Sequence, residues 1–122
     1  MKAGGYKELL VWQQAIELVD HIYELCRLLP KDEMFALSSQ LRRAAVSVAS
    51  NIAEGSGRGS KKEFVQMLRI AYGSLCELET QVLIVQRQKL AHYDWIMLDK
   101  KISSVSRLLK GLIASMKPSQ PI

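Results

Sequence analysis

The stretch NIAEGSGRGS, residues 51–60, places three glycines within five residues around Arg58 and runs straight into Lys61 and Lys62. Glycines let backbone approach a phosphate, and cations neutralise one, so this segment is the first candidate for anion chemistry. Its spacing argues against a nucleotide cradle. A dinucleotide fingerprint needs GxGxxG after a strand, and a P-loop needs four residues between its glycines ahead of a lysine. Here the pattern is GxGxG, and the residues before it have helical periodicity. What remains is the start of a following helix beside Arg58, Lys61 and Lys62, a place where one anion can be held without specificity. The structural alternative makes Gly55 a helix C-cap and the residues after it a turn.

Upstream, Gln40, Arg43, Ser47, Asn51 and Glu54 recur in steps of three and four, so they share one side of a helix. Such a line can be a solvated face or a hydrogen-bonded seam between subunits. It can also be a binding site where Arg42, Arg43 and Arg58 meet phosphates as bidentate donors. Glu54, Glu63, Glu77 and Glu79 would weaken the field that phosphates need. The charge is segregated nonetheless. Residues 41–62 carry five basic side chains and one acidic, residues 100–122 carry five and none, and the net charge is +5. Lys100, Lys101, Arg107 and Lys110 complete the candidate cations. Segregation of this kind fits an RNA or DNA partner, while a solvated, mildly basic surface is the plain alternative.

Other chemistry finds no foothold in the sequence. HExxH, GxSxG and Glu-x-x-His are all missing, and His21 and His92 are isolated, as surface or helix-end residues would be. Cys26 and Cys76 form no CxxC and have no neighbouring His, so they are expected to be ordinary buried thiols on helix faces. Glu54 and Arg58 beside a glycine loop could frame a small anion, but no motif positions a nucleophile or general base. The expectation is a non-enzymatic protein with no catalytic residue, metal, cofactor or small-molecule substrate. The first residues contain no apolar stretch of signal-peptide type, and no run approaches the ~18 residues of a membrane span, so a cytoplasmic protein without membrane contact is expected.

The elements that position these residues are helical throughout. Leu9, Trp12, Ile16, Val19, Tyr23 and Cys26 form one apolar stripe, and Val11, Ala15, Leu18, Ile22, Leu25 and Leu29 form a second beside it. Together they are wider than one bundle seam needs, which leaves part of the face for another subunit. Pro30 ends this helix. Asp32 is the expected N-cap of the next, whose small-residue edge Ala45, Ala49 and Ala53 would let a neighbour approach closely. Ser60 with Glu63 has the form of a capping box. From there Phe64, Leu68, Ala71, Leu75, Leu78, Val82 and Val85 keep a heptad, interrupted by Gly73, where a close helix crossing is expected. A last segment runs through Trp95, Leu98, Ile102, Val105, Leu109, Leu112 and Met116 to a stop at Pro118 and a frayed tail. Four helices near residues 7–29, 33–54, 61–89 and 93–116, joined by short connections, make residues 1–122 a single all-α domain, an antiparallel up-down-up-down four-helix bundle.

With LLVWQQAIEL near residue 9, LSSQLRRAAVSVASNIAEGSGR at 37–58 and EFVQMLRIAYGSLCELETQV from 63, the chain resembles a family of four-helix-bundle proteins. The family is named after open reading frames in intervening sequences of bacterial 23S ribosomal RNA. The resemblance covers roughly residues 6–116 and is most specific over Gln40, Arg43, Ala44, Ser47, Asn51, Ile52, Ala53, Glu54, Gly55 and Arg58. Ser74, Glu77 and Glu79 match the third-helix element, and Trp12 and Ala15 match the first. Val48 and Ala49 depart from the usual pattern in a minor way. This family is similar in fold to accessory proteins of diversity-generating retroelements, so the resemblance implies a homo-oligomer, a pentameric barrel of bundles. It implies no enzymatic activity, and RNA association only through gene location.

Overall fold

The computed structural model describes residues 5–116. A single 3-10 turn at Gly5–Glu8 leads into four α-helices: α1 (Leu10–Arg27), α2 (Leu37–Gly57), α3 (Lys61–Arg87) and α4 (Trp95–Ser115). Among the described residues there is no strand. The expected stop at Pro118 and the basic Lys117 lie outside the described residues.

Each helix packs on two others and leaves the diagonal one untouched: α1 on α2 and α4, α3 on α2 and α4. Named contacts fix the directions. Cys26 on α1 donates to the Ser38 carbonyl on α2 at 3.6 Å, and Arg42 lies over the Tyr23 ring. Ser47 on α2 meets Ser74 on α3 at 2.8 Å, and Lys110 on α4 lies over Tyr72 on α3. Lys101 on α4 reaches Glu17 on α1 at 3.2 Å, while Tyr93, just before α4, donates to Glu24 at 2.7 Å. In the α1–α2 and α1–α4 pairs the residue number rises on one helix as it falls on the other, and Gly55 against Met67 for α2–α3 and Arg69 beside Ile113 for α3–α4 show the same, so all four neighbours are antiparallel.

The core is the second of the two α1 stripes, Val11 to Leu29, together with Leu41, Ala44, Ala45, Val48, Ala49 and Ile52 of α2. The α3 heptad from Leu68 to Val85 and Leu98, Ile102, Val105 and Leu109 of α4 complete it. Burial of this apolar area is the main stabilising term, at about 25 cal/mol per Å2. The first α1 stripe stays outside: Trp12, Val19 and Cys26 are half-buried, and Ile16 and Tyr23 are 37% and 39% exposed. The surplus width expected from the sequence is therefore present on the surface.

Several local expectations need correction. Asp32 caps nothing; after Pro30 the chain makes a 3-10 turn at Lys31–Glu33, and α2 begins only at Leu37, with no side-chain cap. Gly55 does not end α2. It lies buried in the last turn of the helix, where a Cβ would stand 2.7 Å from the Met67 Cβ and 3.0 Å from the Phe64 ring. The reversal falls to Gly59, whose φ of 89° is left-handed, a region that favours glycine. Gly73 marks no close crossing, since a Cβ at that position meets nothing within 4 Å. Cys76 is exposed, not buried, and Cys26 is half-buried. Ser60 caps α3 as expected, accepting from the Glu63 N–H at 3.2 Å. Asp94, likewise, accepts from the Met97 N–H at 3.0 Å and caps α4.

Candidate functional site

The polar stripe of α2 faces α3. At its middle, Asn51 Nδ2 donates to the Ser47 carbonyl at 2.8 Å and to Ser47 Oγ at 2.9 Å, and the Ser47 and Ser74 hydroxyls are hydrogen-bonded to each other. These residues lock the helix pair with hydrogen bonds between half-buried groups, each contributing about 0.5–1.5 kcal/mol. At the lower end Arg58 donates to Glu54 in an exposed i, i+4 pair, which holds the Arg58 guanidinium above its ordinary pKa. At the upper end Gln40 and Arg43 are exposed and border a groove shared with Ala44, Ser47, Glu77 and Gln81. Gln81 is only 6% exposed, and its Oε1 has no donor. Glu79 is also exposed, but it lies on the α4 side of α3, in a cleft with Arg107, Tyr72 and Cys76. The stripe expected from the sequence thus divides between an internal hydrogen-bonded layer and an open polar groove.

The candidate cations divide as well. The Ser47–Ser74 layer separates two halves of the bundle. Arg58, Lys61 and Lys62 lie at the α2–α3 turn, and Lys110 lies in the same half, because α4 runs antiparallel to α3. Arg42, Arg43, Lys100 and Lys101 belong to the opposite half, and Arg107 lies near the middle. Arg42 is engaged by Tyr23, and Lys101 by Glu17. The sequence segments 41–62 and 100–117 therefore do not form one surface. The turn half has its own basic character: Lys7, Arg58, Lys61, Lys62, Arg69 and Lys110 outnumber Glu8, Glu54 and Glu63.

On this half Arg69, Tyr72, Lys110, Ile113 and Ala114 line a shallow cleft of about 430 Å3. Lys110 Nζ sits 5.3 Å from the Tyr72 ring centroid. Two cations beside an aromatic ring make a surface that suits phosphate, with Tyr72 holding Lys110 in place. Sequence reasoning missed Arg69 and Tyr72. Their spacing on α3 put them on one side, but only the α3–α4 register adds Lys110.

Thiols and histidines do not add a further centre. Burial pushes the Cys26 thiol up, opposed by Arg42 and by the hydrogen bond to Ser38. His92 is exposed just before α4, and His21 is half-buried on α1. Among the described residues no group of three or more His, Cys, Asp or Glu could hold a metal ion, and no helix is long and apolar enough to cross a membrane.

Comparison with known proteins places this arrangement. No curated protein matches the chain. Among solved structures it is similar to a protein of unknown function from the S23 ribosomal protein family of Bacteroides thetaiotaomicron, at 22% sequence identity and a TM-score of 0.78. That match covers 86% of this chain and 96% of the other, and at this identity it speaks to the fold. A family model described as 23S rRNA-intervening sequence protein matches residues 7–111, nearly the whole bundle. The chain belongs to the 23S rRNA-intervening sequence protein family.

Proposed function

We propose that this protein is a non-enzymatic bundle that associates with copies of itself and holds structured RNA or DNA on its basic half. The observation that carries this reading is the cleft lined by Arg69, Tyr72 and Lys110, on the same half of the bundle as Lys61 and Lys62 at the α2–α3 turn. Phosphate neutralised by such cations releases counterions, so affinity arises without sequence readout. A filter-binding assay with a structured RNA hairpin at ~50 mM salt tests the reading. Binding by the native protein is expected, with a large loss in the Lys61→Glu/Lys62→Glu/Lys110→Glu variant. Equal binding by both proteins, or none by either, would sink it.

A second reading is a protein–protein scaffold without nucleic acid, in which the polar stripe Gln40 to Glu54 serves subunit contacts. The Arg58–Glu54 pair favours it, because that carboxylate removes one cation from the basic turn. Under this reading Arg43→Ala changes the assembly mass in light scattering and the RNA hairpin stays unbound.

A further inference from the structure

The connection between α1 and α2 lies at the end of the bundle away from the basic turn, and an open cavity of about 370 Å3 sits against it, a volume in the range of small-molecule sites. Leu29, Pro30 and Met34 give the cavity an apolar wall. Its other wall is cationic: Arg27, Lys31 and Arg42 border it, no carboxylate does, and none of the three takes part in an ion pair among the described residues. Asp32 and Glu33 follow Lys31 in the chain but lie outside the lining. The N-terminus of α2 opens at the same place without a side-chain cap, and the N–H groups of Leu37, Ser38 and Ser39 have no acceptor among the described residues. Such a helix end favours negative charge. Ser38 is an independent sign of the same preference. It is only 4% exposed and borders the cavity, yet its hydroxyl is neither paired with an oxygen or nitrogen among the described residues nor closed off from solvent. Beside it, burial disfavours charge on the Cys26 sulfur, but the Arg42 guanidinium and the Ser38 side chain both act on that one atom to favour a negative charge there. Two donors from α2 therefore converge on one point of the cavity wall.

From this convergence we propose that the cavity binds a small organic anion, its carboxylate or phosphate held by Arg42, Lys31 and the Ser38 hydroxyl and its apolar body lying on Leu29 and Met34. The guanidinium fork of Arg42 suits either head group as a bidentate donor. The apolar wall adds affinity for a ligand that carries hydrocarbon as well as charge. Binding here is independent of the nucleic-acid reading, since Arg42 and Lys31 lie at the end away from Lys61, Lys62 and Lys110.

Isothermal titration of the full chain with phenylacetate and phenyl phosphate tests the proposal, with phenethylammonium as an aromatic of opposite charge and inorganic phosphate as a head group without an apolar body. At least one of the two organic anions is expected to bind saturably, one per chain, and about tenfold or more tighter than either control. Arg42→Gln and Lys31→Gln should each weaken it, Arg42→Gln by about tenfold or more, as befits a lost charged hydrogen bond. Lys31 is exposed on a 3-10 turn, so its variant keeps the test decisive even if Arg42→Gln disturbs the contact with Tyr23. Bound ligand should also slow alkylation of Cys26, which borders the cavity, and leave that of Cys76 on the α3–α4 side unchanged. Absence of binding by both organic anions up to ~10 mM would overturn the proposal. So would either control binding as tightly as the organic anions, an affinity unchanged in both variants, or Cys26 alkylated at the same rate with ligand bound.

Discussion

Gly55 and Gly73 both sit inside helices, and their surroundings predict opposite effects of the same substitution. A methyl at residue 55 meets the Met67 Cβ at 2.7 Å, an atom fixed to backbone, so α2 and α3 must move apart to admit it. Gly55→Ala is expected to destabilise by about 1–3 kcal/mol, as overpacking of a close contact does. At residue 73 the methyl meets nothing, and a glycine in a helix interior gives up about 0.5–1 kcal/mol relative to alanine. Gly73→Ala should therefore raise the urea midpoint while Gly55→Ala lowers it, and both urea curves at one pH check the pair. A similar contrast holds for the thiols. Cys76 is exposed, whereas Cys26 is half-buried, donates to Ser38, and is held protonated chiefly by burial. Under a limiting alkylating reagent near pH 8, peptide mapping is expected to find Cys76 labelled first.

At the scale of the helices, the outer stripe of α1 is only partly covered by the rest of the chain. Ile16 and Tyr23 are exposed there, and Val46 of α2 is 40% exposed. Ile16→Glu leaves the core stripe untouched, so the fold and helicity by circular dichroism should persist while the light-scattering mass falls toward that of one chain. A monomeric native protein would remove the basis for this prediction. Ser60 makes a smaller, local contribution: Ser60→Ala loses the cap of α3 and should cost about 1 kcal/mol in urea denaturation. The helices themselves were legible in the sequence because the α3 heptad and the α1 stripes repeat over many turns. The start of α2 was not, because Asp32 follows Pro30 in a form that suits a cap, yet the chain spends Lys31–Glu33 on a 3-10 turn first. Gly55 misled for a related reason. A glycine near a helix end reads as a cap, and only the packing of Met67 and Phe64 shows that it is a contact point.

The candidate sites were legible in part. Gln40, Arg43, Ser47, Asn51 and Glu54 share a helix side, and that follows from spacing alone. That Ser47 meets Ser74, or that Gln81 comes to lie beside Arg43 and Glu77, depends on how α2 and α3 are registered, which is set by core packing between helices and has no short-range signature. The same limit explains the cations. Sequence blocks 41–62 and 100–117 look like two basic segments, but antiparallel packing sends Arg42 and Lys101 to one half and Lys61, Lys62 and Lys110 to the other. On the whole molecule this leaves one basic half and one of mixed charge, and the proposed nucleic-acid contact belongs to the basic half. The most direct measurement is fluorescence anisotropy of a labelled RNA hairpin titrated with the native protein across a salt series from ~50 to ~200 mM. Log K should fall linearly with log salt, with a slope near −0.9 per phosphate neutralised if the hairpin behaves as a duplex, and Lys61→Glu/Lys62→Glu/Lys110→Glu should flatten it. No binding at ~50 mM salt, or a slope the same in the variant as in the native protein, would contradict the basic half as the contact surface.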